Sequence, residues 1–136
     1  MIITENNIEK ALLYFDKLDD TKYEKLIDEL LQEQAYLSTF VQQNLDNIFA
    51  ENENIKDISY NLYFIILHLY KAKLEHKYPI INKEKLDTFL SGNNEVTHKQ
   101  EDLGDFIFTQ LATSEIEKPD IIAIIGLLNI VINCFE

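Results

Sequence analysis

Apolar residues recur at spacings of three and four from Ile8 onward: Ile8, Ala11, Leu12, Phe15 and Leu18. That period puts them on one side of an α-helix. Thr4 precedes the run as N-cap, and Glu5 follows in the first turn, where the helix dipole favours an anion. Asp19-Asp20 interrupts the stripe. Thr21 and Glu24 have the T-x-x-E spacing of a capping box and predict a second start. Tyr23, Leu26, Ile27, Leu30 and Leu31 form the next stripe, and Leu37, Phe40, Val41, Leu45, Ile48 and Phe49 extend it. The phase drifts across Glu33-Gln34-Ala35, so residues 21–50 fit one long helix or two.

Asn54 is placed to cap the following helix, with Asp57 at its third position. From about 55 to 77 the chain is apolar nearly all round, as expected of a helix in the middle of a bundle. Lys71, Lys73 and Lys77 suit its C-terminal end, and Pro79 stops it. Asn82 caps a short helix carrying Leu86, Phe89 and Leu90; Gly92 ends it, and 92–97 reads as a loop. Leu103, Phe106, Ile107 and Leu111 mark another helix, within which Phe106 to Leu111 also fits a strand. Pro119 at a first helical position opens the last helix. Its apolar run, Ile121 to Phe135, includes Asn129 and Asn133 and falls short of the roughly 20 residues of a membrane span. It reads as a buried core helix.

With 3 glycines and 2 prolines the chain lacks the turns an all-β fold needs. Its 136 residues suit one helical domain, 1–136. The expected fold is therefore all-α: an irregular bundle of five to seven helices, with those at about 55–77 and 119–135 central. No fixed repeat period is evident.

Charge narrows the function. The net charge is −12, from 24 acids and 12 basic residues, all of them lysine. Direct binding to nucleic acid or to an anionic membrane calls for clustered Lys and Arg, so neither is expected. The one cationic stretch is 54–78, whose lysines are expected to pair with the acidic helices around it. Cys134 stands alone, which precludes an intrachain disulfide; with no secretory signal this predicts a cytoplasmic protein.

Catalytic chemistry has little to stand on. Ser38, Ser59, Ser91 and Ser114 occur in no G-x-S-x-G context, and no phosphate-cradling glycine loop is present. One E-x-x-H spacing exists, Glu95 to His98, where a di-iron bundle needs two. His68 and His76 lack such a partner. We expect no enzyme activity, no cofactor and no metal site. Asp16, Asp20, Glu24 and Asp28 repeat every four residues, as do Glu29 and Glu33. Of these, Glu24, Asp28, Glu29 and Glu33 are the expected partner-binding residues.

The segment Leu26 to Leu37, with Glu33-Gln34-Ala35-Tyr36-Leu37 at its end, resembles a motif of small uncharacterised all-helical bacterial proteins. There a Glu-Gln pair precedes Pro and then Leu; Ala35 occupies the proline position here. Leu128 to Phe135 is similar to their C-termini. The resemblance implies a helix break near residue 34 and no stated activity.

The leading expectation is a non-catalytic, acidic protein-binding module: an inhibitor, such as an immunity protein or antitoxin, for a basic partner. The alternatives are a scaffold or homo-oligomer associating through Ile121–Phe135, and a small enzyme using carboxylates with His68, His76 or His98.

Overall fold

The first helix, α1 (Glu5–Asp16), starts where its pattern predicts. The Thr4 hydroxyl accepts from Asn7 N at 3.2 Å, and Asn7 Oδ1 accepts from Thr4 N at 3.0 Å, so two end donors are satisfied reciprocally. The computed structural model describes residues 2–91 and 100–136. The described residues hold seven α-helices, a 3-10 turn and no strand.

Helix α2 (Asp20–Glu33) has its N-cap two residues before Thr21, the expected cap. Asp19 is the N-cap, its carboxylate accepting from Lys22 N at 2.8 Å. Thr21 and Glu24 therefore lie inside the helix. A carboxylate caps as well as a hydroxyl and adds favourable charge at the positive helix end. The 21–50 region resolves into two helices. Gln34 leaves helical geometry at φ −119°, ψ 46°, and α3 (Ala35–Ile48) starts at the next residue. The break thus falls within Glu33-Gln34-Ala35, where the apolar phase drifts.

Helix α4 (Glu53–Leu74) is capped by Asn52, which accepts from Ile55 N at 3.1 Å, rather than by Asn54. It ends at Leu74, three residues early, because Glu75 takes a left-handed φ of 53°. A 3-10 turn over Glu75–Lys77 follows, and Tyr78 is extended before Pro79. Asn82 caps α5 (Lys83–Ser91), accepting from Lys85 N at 2.9 Å. Gly92 and the loop expected at 92–97 lie outside the described residues.

Helix α6 (Glu101–Thr113) absorbs Phe106–Leu111, so the strand alternative does not hold. Leu103, Ile107 and Leu111 are buried at a spacing of four while Phe108 is exposed, which is a helical period. Helix α7 (Lys118–Cys134) has Pro119 at its second position rather than its first.

Helices α4 and α7 form the expected centre. Helix α4 packs on α1, α2 and α7, while α7 also meets α3, α5 and α6. Leu62, Tyr63, Ile66, Leu67 and Tyr70 of α4 and Ile124, Leu128 and Val131 of α7 are buried between them and their neighbours. Each fully buried aliphatic side chain contributes about 1.5–3 kcal/mol. No described helix is long and apolar enough to cross a membrane.

Two buried glutamines tie distant segments to this centre. Gln34 donates to Pro79 O at 2.7 Å and accepts from Ile81 N at 3.0 Å, fastening the α4–α5 connection to the α2–α3 elbow. Gln100 accepts from Ile3 N at 2.9 Å and donates to the Glu136 carboxylate, bringing residues near the two chain ends together.

Candidate functional site

The expected partner-binding acids all lie on α2 but not on one face. At about 100° per residue, Glu24 and Asp28 fall on one flank of the buried stripe and Glu29 and Glu33 on the other. Glu33 is engaged within the fold: Lys71 Nζ donates to its two oxygens at 2.8 and 2.9 Å. Glu24, Asp28 and Glu29 are exposed and form no ion pair among the described residues. The cationic helix behaves as its sequence predicts at two positions. Lys71 meets Glu33 of α2, and Lys56 meets Asp46 of α3 at 3.3 Å and Glu53 at 3.0 Å.

The free flank borders a cavity. Leu31 follows Glu24 and Asp28 along the same helical row, at i+7 and i+3, and it lines an open cleft of about 700 Å³. Tyr23 and Leu31 come from α2. The α3 wall comprises Ala35, Ser38, Thr39 and Gln42, and the α4 wall comprises Asp57, Tyr60, Asn61, Tyr63 and Phe64. The Gln34 elbow produces this space, because it turns α3 away from the α2 axis while both helices stay packed on the core.

The cleft walls are aromatic and fixed in place. Tyr60 and Phe64 stack with centroids 6.3 Å apart, and Phe64 also meets Tyr63 at 5.5 Å. At the floor, the Tyr63 and Ser38 hydroxyls share a 2.7 Å hydrogen bond; burial raises the Tyr63 pKa. The Tyr60 hydroxyl is also raised, first by burial and then by the Asp46 carboxylate. Asp57 is the one charged side chain among the described residues lining the cleft.

A second cleft, of about 400 Å³, adjoins the first. Tyr23, Asn61 and Phe64 line both, and the Tyr23 hydroxyl donates to Asn61 Oδ1 at 3.1 Å between them. Leu12, Phe15, Asp16, Ile65 and Gln110 complete the second, and its one charged side chain among the described residues is Asp16.

The remaining residues singled out in the sequence are dispersed. His68 lies half-buried, stacked on Tyr14 at 4.9 Å and edge-on to Phe15 at 5.1 Å. Burial, and secondarily the Lys71 ammonium, lower its pKa. His76 is exposed in the 3-10 turn, while Glu95 and His98 lie outside the described residues. Among the described residues no three His, Cys, Asp or Glu side chains gather as a metal ion would need. Cys134 is buried in α7, and burial pushes its thiol up to about 11. Tyr63 and Tyr70 are core residues whose hydroxyls do not reach solvent, and the Tyr70 hydroxyl is buried without a partner among the described residues. Phe135 stacks on both Tyr70 and Tyr78.

The sequence reading missed the cleft residues Tyr23, Asp57 and Tyr60. The available signal was the spacing of Asp57, Tyr60, Asn61 and Phe64, which sets a carboxylate, an amide and two rings along one side of α4. Comparison with protein-family models, curated proteins and solved structures gives no match.

Proposed function

We propose that the protein is a non-catalytic, acidic protein-binding module that holds a basic partner, in the manner of an inhibitor. The observation that carries this reading is the flank of α2. Glu24 and Asp28 are exposed there and form no ion pair among the described residues, beside an aromatic cleft whose one charged described lining residue is also an acid. Lys56 and Lys71, which could have offset that charge, are turned onto acids of the fold. An acidic face next to tyrosine-rich relief supplies both steering for a basic partner and apolar contact once docked.

The test is capture of partners from the native cell extract at about 50 and about 300 mM salt, since exposed charge pairs are heavily screened at the higher value. It is run with the parent protein and with the Glu24→Lys/Asp28→Lys variant. A basic protein retained only at low salt, and associating at least tenfold more slowly with the variant, is the expected result. Retention that ignores both salt and charge reversal would remove the acidic flank from the function.

A further inference from the structure

We infer that the two adjoining clefts along α4 receive two arginine side chains from one extended segment of the basic partner. The inference rests on the proposed function and names what its site recognises.

The two clefts share a pattern of aromatic rings and a single acid. Rings form the walls, namely Tyr23, Tyr60, Tyr63 and Phe64 in one and Phe15, Tyr23 and Phe64 in the other. Each has one carboxylate, Asp57 or Asp16, and neither has a lysine among its described lining residues. Aromatic faces attract cations through their quadrupole, and a nearby carboxylate supplies the countercharge. The field around the larger cleft has the same sign, because Lys56 is outnumbered by Asp46, Glu53 and Asp57. These exposed carboxylates would repel an anionic occupant and give a purely apolar one nothing to bind. Arginine fits better than lysine. Its guanidinium is planar, weakly hydrated and able to stack on a ring while donating to a carboxylate.

The arrangement also sets a spacing. The clefts meet at the Tyr23–Asn61 hydrogen bond, and their α4 linings run from Asp57 to Ile65. At 1.5 Å per residue those overlapping linings span about 12 Å end to end, which bounds how far apart along α4 the two occupants can lie. An extended chain rises about 3.3 Å per residue, so two arginines no more than about three residues apart fit within that bound.

The experiment uses the full chain and synthetic peptides. Ac-Gly-Arg-Gly-Gly-Arg-Gly-NH2 is titrated by calorimetry, and the ring resonances of Tyr23, Tyr60, Phe15 and Phe64 are followed by NMR. The controls are a citrulline version, a lysine version, a peptide with adjacent arginines, and spermine. The two-arginine peptide should shift rings of both clefts and bind at least tenfold more tightly than its citrulline version. Asp57→Asn and Asp16→Asn, both at exposed positions, should each weaken it about threefold to tenfold. Tight spermine binding at the same rings, or equal binding of the citrulline peptide, would overturn the inference. So would peptide binding that leaves the rings unmoved. A partner captured in a Glu24- and Asp28-dependent way, with the cleft rings still silent, would leave the proposed function standing without this inference. Charge-independent capture would remove the function itself.

Discussion

Three residues show how much of this fold rests on single polar or ionisable groups. Gln34 is fully buried and satisfies both Pro79 O and Ile81 N. Gln34→Ala orphans a buried backbone N–H and a carbonyl, so we expect a loss of about 2–4 kcal/mol in urea unfolding. Gln34→Leu should not recover it, because volume is not what is missing. His68 sets a pH dependence. Its folded pKa lies below the ordinary 6.5, held there by burial and then by Lys71. The unfolded chain therefore binds the proton first as pH falls. The stability this group supports is complete above about 6.5 and declines as pH drops toward the folded value. His68→Phe should flatten the fall in unfolding midpoint between about pH 7 and 5.5, leaving the steeper carboxylate-driven loss below it. Cys134 offers a third check. With its thiol pushed up to about 11 and shielded by α7 packing, it should resist a disulfide reagent at pH 8 and react only at the rate of unfolding.

At the scale of elements, caps decide where helices start, and the glycines show where the sequence has slack. Asp19→Ala should cost about 1 kcal/mol, whereas Thr21→Ala should stay within about 0.5 kcal/mol, since Asp19 makes the capping bond. Gly104 and Gly126 sit inside helices, and an added Cβ meets nothing within 4 Å at either. Alanine at each should stabilise by about 0.5–1 kcal/mol, visible as a rise in Tm. Helix existence was legible because burial enforces a period: Leu103, Ile107 and Leu111 could be read as one stripe before any contact was known. The caps were less legible. Asp19, Asp20 and Thr21 are adjacent competent acceptors, and only the position of Lys22 N selects among them. Of the cleft, only its α4 wall was legible, in the spacing of Asp57, Tyr60, Asn61 and Phe64. The rest depends on the Gln34 elbow and on α2 meeting α4 across 38 residues of chain, and no local pattern encodes that register.

Across the whole molecule, an unbalanced charge couples stability to binding. The net charge is −12, from 24 acids against 12 lysines, so exposed acids such as Glu24 and Asp28 are only partly compensated, by Lys22 and Lys25 on the same helix. Self-repulsion of this kind destabilises a compact state and is relieved by salt. The unfolding midpoint should therefore rise between about 20 and 300 mM NaCl. Glu24→Gln/Asp28→Asn removes a like-charge pair four residues apart on α2, which should add about 0.2–0.5 kcal/mol at low salt and reduce the salt dependence. The same double variant separates the two uses of acidity. If the flank recognises a basic partner, the more stable variant binds that partner more slowly. If the charge serves solubility alone, stability rises while association is unchanged. Urea midpoints at the two salt concentrations, measured beside association rates for parent and variant, distinguish these outcomes. The proposed function requires the two quantities to move in opposite directions.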